Sequence, residues 1–175
     1  GLGLTYEIGK LSLAGIVERF DNKSEEDKNK ATMVYSLSAT YDFEVAKAFF
    51  GYQYANRFHS LDQLEDVWVS GKGMNQNAFT LGAEVPAAGG TFKVAANYGF
   101  GKVKSADGVV VDDTKLSNDK FNRFTVGAAY EYPLSKRTFV YGWGAYATAG
   151  KMFKEKAVEE NFKSWSLGLG LHHTF

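Results

Sequence analysis

The closing segment, residues 164–175, admits few folds. Trp165, Leu167, Leu169, Leu171, His173 and Phe175 alternate there with Ser166, Gly168, Gly170, His172 and Thr174. Side chains with a period of two fall on opposite faces of a β-strand, whereas a helix of period 3.6 would mix the two sets. One face of this strand is large and apolar. The other is nearly bare. The same alternation recurs at residues 1–8, 11–20, 31–42, 45–58, 78–86, 91–102, 122–134 and 137–150. With the closing segment these make about nine strands, and an all-β chain is expected.

The connections narrow the choice further. Short polar turns at 9–10, 43–44, 87–90 and 135–136 alternate with long polar stretches at 21–30, 59–76, 105–120 and 151–163. A soluble sandwich has no reason to sort its loops in this way. A transmembrane antiparallel β-barrel does, with short turns on one side of the membrane and long loops on the other. The charged strand residues Glu7, Asp42, Lys47, Arg57, Glu84, Lys93 and Glu131 fall mainly on the face opposite the large apolar groups. Facing lipid, an Arg or Lys at the midplane would cost about 2–4 kcal/mol. In a water-filled lumen it costs little, so these seven residues are expected to line a pore while the opposite face meets lipid. Aromatics gather near strand ends: Tyr41, Phe43, Tyr130, Tyr132, Phe139 and Tyr141 at the short-turn end, and Tyr98, Phe100, Phe124 and Trp165 at the long-loop end. Two interfacial girdles are expected from them.

Composition agrees and removes other classes. The 175 residues suit a single region, 1–175, and the net charge of zero gives no electrostatic case for nucleic acid. Cysteine is absent, which excludes disulfides and thiolate metal sites. No apolar run approaches the roughly 20 residues of a membrane helix. The slightly negative mean hydropathy of −0.27 does not argue against a barrel, whose strands show lipid only every second residue. The glycines of Gly99-Phe100-Gly101-Lys102 lack the spacing of a phosphate loop. Asp107, Asp112, Asp113 and Asp119 have the chemistry of calcium ligands but are read as a solvated loop. His59, His172 and His173 are too scattered for a metal site, and His173 suits a lipid–water boundary as an amphipathic group. No nucleophile, base or carboxylate pair stands at a defined spacing. Neither a catalytic residue, a metal nor a cofactor is expected, and the chain is not read as an enzyme.

Two stretches carry a resemblance. Tyr132-Pro133-Leu134-Ser135-Lys136-Arg137-Thr138-Phe139-Val140-Tyr141 resembles the Y-x-LSKRT-x-x-Y motif of trimeric general porins of Gram-negative bacteria, the β-proteobacterial type above all. Gly168-Leu169-Gly170-Leu171-His172-His173-Thr174-Phe175 is similar to the terminal G-L-R-H-x-F strand of the same family, with His172 in place of the usual Arg. The resemblance implies a water-filled outer-membrane barrel of about sixteen strands, assembled as a homotrimer. It also implies that the terminal strand is the assembly signal, here Trp165, Leu167, Leu169, Leu171 and Phe175. Family members are far longer than this chain, and their inward-folded constriction loop belongs to the first half, with no counterpart here. In a bacterial setting the sequon Asn22-Lys23-Ser24 carries no sugar.

Strand direction points the same way. Nine strands joined by hairpins leave the first and last parallel, so they cannot close a barrel by antiparallel pairing. Open edges in lipid strand backbone polar groups at several kcal/mol each. An odd number of strands is therefore expected upstream, and about seven would complete the family's sixteen. The chain is expected to be the carboxy-terminal half of a porin, as a fragment, a cleaved product or one of two pieces, partnered by the amino-terminal half. Passive diffusion of ions and small hydrophilic solutes is the expected function. The alternative is a small self-contained outer-membrane barrel with a structural or adhesion role, and a membrane-barrel enzyme is the remotest option.

Overall fold

A computed structural model describes residues 1–21, 31–59, 69, 72–106, 108–111, 114–155 and 162–174. Nine strands form one sheet: β1 (Leu2–Ile8), β2 (Leu11–Phe20), β3 (Thr32–Asp42), β4 (Lys47–Phe58), β5 (Met74–Ala87), β6 (Gly90–Val103), β9 (Lys120–Ser135), β10 (Thr138–Lys151) and β11 (Lys163–His173). Each pairs antiparallel with its neighbours in chain order. Two short strands, β7 (Val110–Val111) and β8 (Thr114–Lys115), form a separate hairpin inside the connection between β6 and β9. The connection after β10 opens with a 3-10 turn, Met152–Lys154.

All nine expected strands are present. The largest shift is β5, which starts at Met74 rather than 78. Its polar opening, Asn75-Gln76-Asn77, hides the strand from a hydropathy pattern. Asn75 Nδ2 donates to the Tyr54 hydroxyl at 3.2 Å, and the Tyr52 hydroxyl donates to Asn77 Oδ1 at 2.9 Å. Each amide thus bonds to a ring hydroxyl on β4.

Cross-strand partners share a face, so the register sorts the whole sheet. Leu4, Gly15, Leu37, Tyr52, Phe79, Tyr98 and Phe124 follow one another across successive strands on one face. That face is open: Leu169 is 91 % exposed and Leu2 80 %. A monomeric soluble sheet rarely leaves so continuous an apolar surface uncovered. The opposite face carries most of the strand charges, Glu7, Asp42, Lys47, Glu84, Lys93 and Glu131 among them. A cavity of about 570 Å³ opens on it, with Gly82, Ala95, Gly127 and Ala145 in its lining.

The buried apolar core of the described residues lies at one end of the sheet rather than along its middle. Val69, Met74, Val103, Val109, Leu116, Phe121, Ala149, Met152 and Phe153 form it. Its strand members, Met74, Val103, Phe121 and Ala149, all have the parity of the charged face. Described residues of the connections after β4, β6 and β10 thus pack against that face. Backbone bonds tie them down, with Lys104 N–H donating to Gly73 O at 2.7 Å and Ala149 N–H to Phe162 O at 2.9 Å. Among the described residues the end strands β1 and β11 each have a single neighbour in the sheet.

Candidate functional site

The charged face owes its layout to the strand register. Asp42 stands opposite Lys47, Lys47 opposite Glu84, and Glu84 opposite Lys93. Acid and base alternate across four adjacent strands, and opposite charges in direct cross-strand register attract. Lys93 Nζ lies 2.8 Å from Glu131 Oε2 and 3.7 Å from Glu84 Oε1. One ammonium group is therefore shared by carboxylates on both flanking strands. Glu7 lies on the same face, opposite Ser12. Six of the seven sequence-predicted residues thus gather near the short-turn end of one face.

Arg57 is the exception. It sits at the far end of β4 in a bulge, with φ at 61°, where the register shifts between Asn56 and Phe58. A bulge interrupts alternation, so simple parity does not assign its side chain. The bulge turns Phe58 onto the charged face, beside Met74 and the loop core. The Thr32 hydroxyl donates to Arg57 O at 2.6 Å and fixes the kink.

Two more cations belong to this face by register. Arg123 lies opposite Gly99 and Ala149, and Lys151 opposite Phe121. Both stand toward the long-connection end. Alternation alone would have placed Arg123, because it is two residues from Thr125 on the same strand.

Strand β10 corrects the expected girdle. Phe139 and Tyr141 lie opposite Pro133 and Glu131, which is the charged face, and Trp143 lies opposite Ala129. Both faces of β10 carry large groups, with Val140 and the Tyr146 ring on the other side. Hydropathy therefore cannot orient this strand, and only its partners do.

On β11, Trp165, Leu167, Leu169 and Leu171 share the apolar face and are all more than 60 % exposed. Phe175 lies outside the described residues. His173 Nδ1 is 2.8 Å from Thr138 Oγ1, and the His172 ring stacks on Phe139 with centroids 4.9 Å apart. His59 is buried, its ring N–H donating to Val69 O at 2.6 Å. Asp107, Asp112, Asp113 and the sequon Asn22-Lys23-Ser24 also lie outside the described residues. Asp119 pairs with Lys102 at 2.9 Å, and that hydrogen bond holds its carboxyl below the usual range. Among the described residues no three His, Cys, Asp or Glu side chains come together as a metal site.

At the long-connection end the Glu155 carboxylate accepts from Ser117 N–H at 2.8 Å and Asn118 N–H at 2.6 Å. The bond from Ser117, helped by that from Asn118, holds this carboxyl below its ordinary range. This clamp joins two connections far apart in sequence.

One continuous antiparallel sheet, charged and hollow on one face and openly apolar on the other, is the geometry of a barrel wall. The family model for Gram-negative porins matches residues 1–151. The chain belongs to the Gram-negative porin family. An outer membrane porin protein of Bordetella pertussis is 30 % identical over 193 aligned positions, covering 99 % of this chain and 45 % of that protein. This porin chain therefore spans less than half the length of that relative. Its place is the outer membrane, and the sheet is the β-barrel type of the family.

Proposed function

We propose that the chain is the carboxy-terminal half of a porin barrel and forms one wall of a water-filled channel for ions and small hydrophilic solutes. The observation that carries this is the division of labour between the two faces. Glu7, Asp42, Lys47, Glu84, Lys93 and Glu131 share one hollow face, and Leu2, Leu169 and Trp165 stand bare on the other. Charges on a lipid-facing wall would be costly, and leucines on a wet one would be exposed to water. Assigning the charged face to the lumen and the apolar face to lipid or a neighbouring subunit removes both penalties. The open edges of β1 and β11 are then met by the amino-terminal half, and the barrel assembles as a homotrimer. No catalytic step is proposed for it.

Planar-bilayer recording on the complete porin tests this. Large stepwise currents that scale with bulk salt conductivity are expected. A protein that inserts and yields no steps would instead be a side-chain-filled barrel with a structural or adhesion role.

A further inference from the structure

Three rings stand in line on the charged face of β10: Phe139, Tyr141 and Trp143. Successive rings are two residues apart, a step of about 6.8 Å along the strand. Phe139 stacks on His172 with ring planes 19° apart. On the β11 side Tyr141 and Trp143 have Gly170 and Gly168 opposite them. A Cβ at Gly168 would stand 2.3 Å from Trp143 Nε1, and one at Gly170 would stand 2.3 Å from Tyr141 Cζ. The two rings therefore lie down across bare backbone. One face of each is against β11 and the other is turned away from the sheet. Trp143 remains 40 % exposed and borders the 570 Å³ cavity.

Lipid contact does not account for rings on this side. A π-face left open to water is an unfilled contact for something flat and apolar. The polar groups beside it narrow the choice. Glu131 is in register with Tyr141, and its carboxylate is bonded to Lys93. Lys93 is shared with Glu84, which faces Lys47 in turn, so the row Lys47, Glu84, Lys93 and Glu131 presents donor and acceptor sites with two cations to two carboxylates. A charged ligand would have to compete with the row, whereas a neutral one can bond to it as it stands. Ring surface with a few placed polar groups is the composition of a small-molecule pocket, and a neutral polyhydroxylated ring has an apolar face for the first and hydroxyls for the second.

We infer that Tyr141 and Trp143, with the Lys93–Glu131 pair beside them, form a subsite for neutral saccharides within the channel wall. A sugar ring lays its C–H face on the aromatic faces and directs its hydroxyls to the pair. This rests on the charged face being the lumen.

The complete porin in a planar bilayer is titrated with maltotriose, with sorbitol, which has hydroxyls but no ring face, and with tetramethylammonium. Maltotriose is expected to lower conductance saturably, and sorbitol only in proportion to viscosity. Trp143→Ala should raise the half-blocking concentration about tenfold, and Trp143→Phe should keep most of the block. Should Trp143→Ala fail to assemble, Tyr141→Leu in a folded barrel is expected to show the same loss. Identical curves for maltotriose and sorbitol, or block unaltered by these changes, would overturn the subsite. Stronger saturable block by tetramethylammonium would overturn it too, giving the rings to organic cations. Normal conductance without saturable block sinks the subsite alone, whereas no conductance sinks the channel reading beneath it.

Discussion

Lys93 balances two carboxylates, so its replacement changes more than one charge. Lys93→Glu would set three acids, Glu84, Glu131 and the new one, within a few ångströms of each other. With Lys47→Glu added, the row Asp42–Glu131 loses both its cations, and focused negative potential in a narrow lumen concentrates cations. The reversal potential of the double variant across a salt gradient should move toward cation selectivity. An unmoved potential would take these residues off the conducting path. On the opposite face, Leu169→Arg should lower stability by about 2–4 kcal/mol in a lipid bilayer titrated with denaturant. Thr125→Arg, on the charged face opposite Asn97, should be tolerated. Equal damage from both would mean that the faces are exchanged. Glu155 tests the loops. Its carboxyl titrates lower in the folded protein than in the unfolded chain, so its contribution is present above the ordinary glutamate range. That contribution fades as pH falls through the lowered value. Amide exchange at Ser117 and Asn118, corrected for the intrinsic pH dependence, should therefore be slow near neutrality and several-fold faster in strong acid. Glu155→Ala should exchange fast at both.

At the scale of elements, the packed connections are a unit distinct from the sheet. Phe153 is 2 % exposed and packs on Phe121 and Phe162, with centroids 6.1 and 4.8 Å away. Emptying such a site by Phe153→Ala costs about 3–5 kcal/mol in a packed core. Limited proteolysis should then cut the connections after β6 and β10 while the strands stay protected. Cleavage unchanged from wild type would mean that the core does not hold these connections. Little of this unit was legible in the sequence. Its members Val69, Val109, Leu116 and Met152 stand alone or in runs of two or three within polar stretches, too short to show a period. The strands were legible because alternation is local: Leu167-Gly168-Leu169-Gly170 states its own two faces. Where both faces carry rings, as on β10, local pattern is silent, and the partners Glu131 and Gly170 decide. Arg57 is left unassigned by parity for a related reason, because a bulge leaves no mark in hydropathy.

For the whole molecule, the two open edges govern behaviour outside the membrane's complete barrel. Among the described residues β1 and β11 each pair along one side alone, and open strand edges recruit strands or aggregate. Residues 1–175 refolded alone in detergent should give polydisperse species by light scattering. Adding an amino-terminal half of about seven strands should restore a protease-resistant oligomer. A heat-stable, monodisperse monomer from the chain alone would favour a small self-contained barrel. The inward-packed connections also bear on what the outside world can recognise. Val69, Leu116 and Phe153 come from three connections but share one apolar cluster, and Glu155 ties two of them together through Ser117 and Asn118. The shape offered at that end is therefore a mosaic that no single connection carries by itself. An antibody raised against a linear peptide from residues 104–119 would meet a conformation that the folded protein does not display. Sequence drift in one connection, in turn, alters the footprint contributed by the other two.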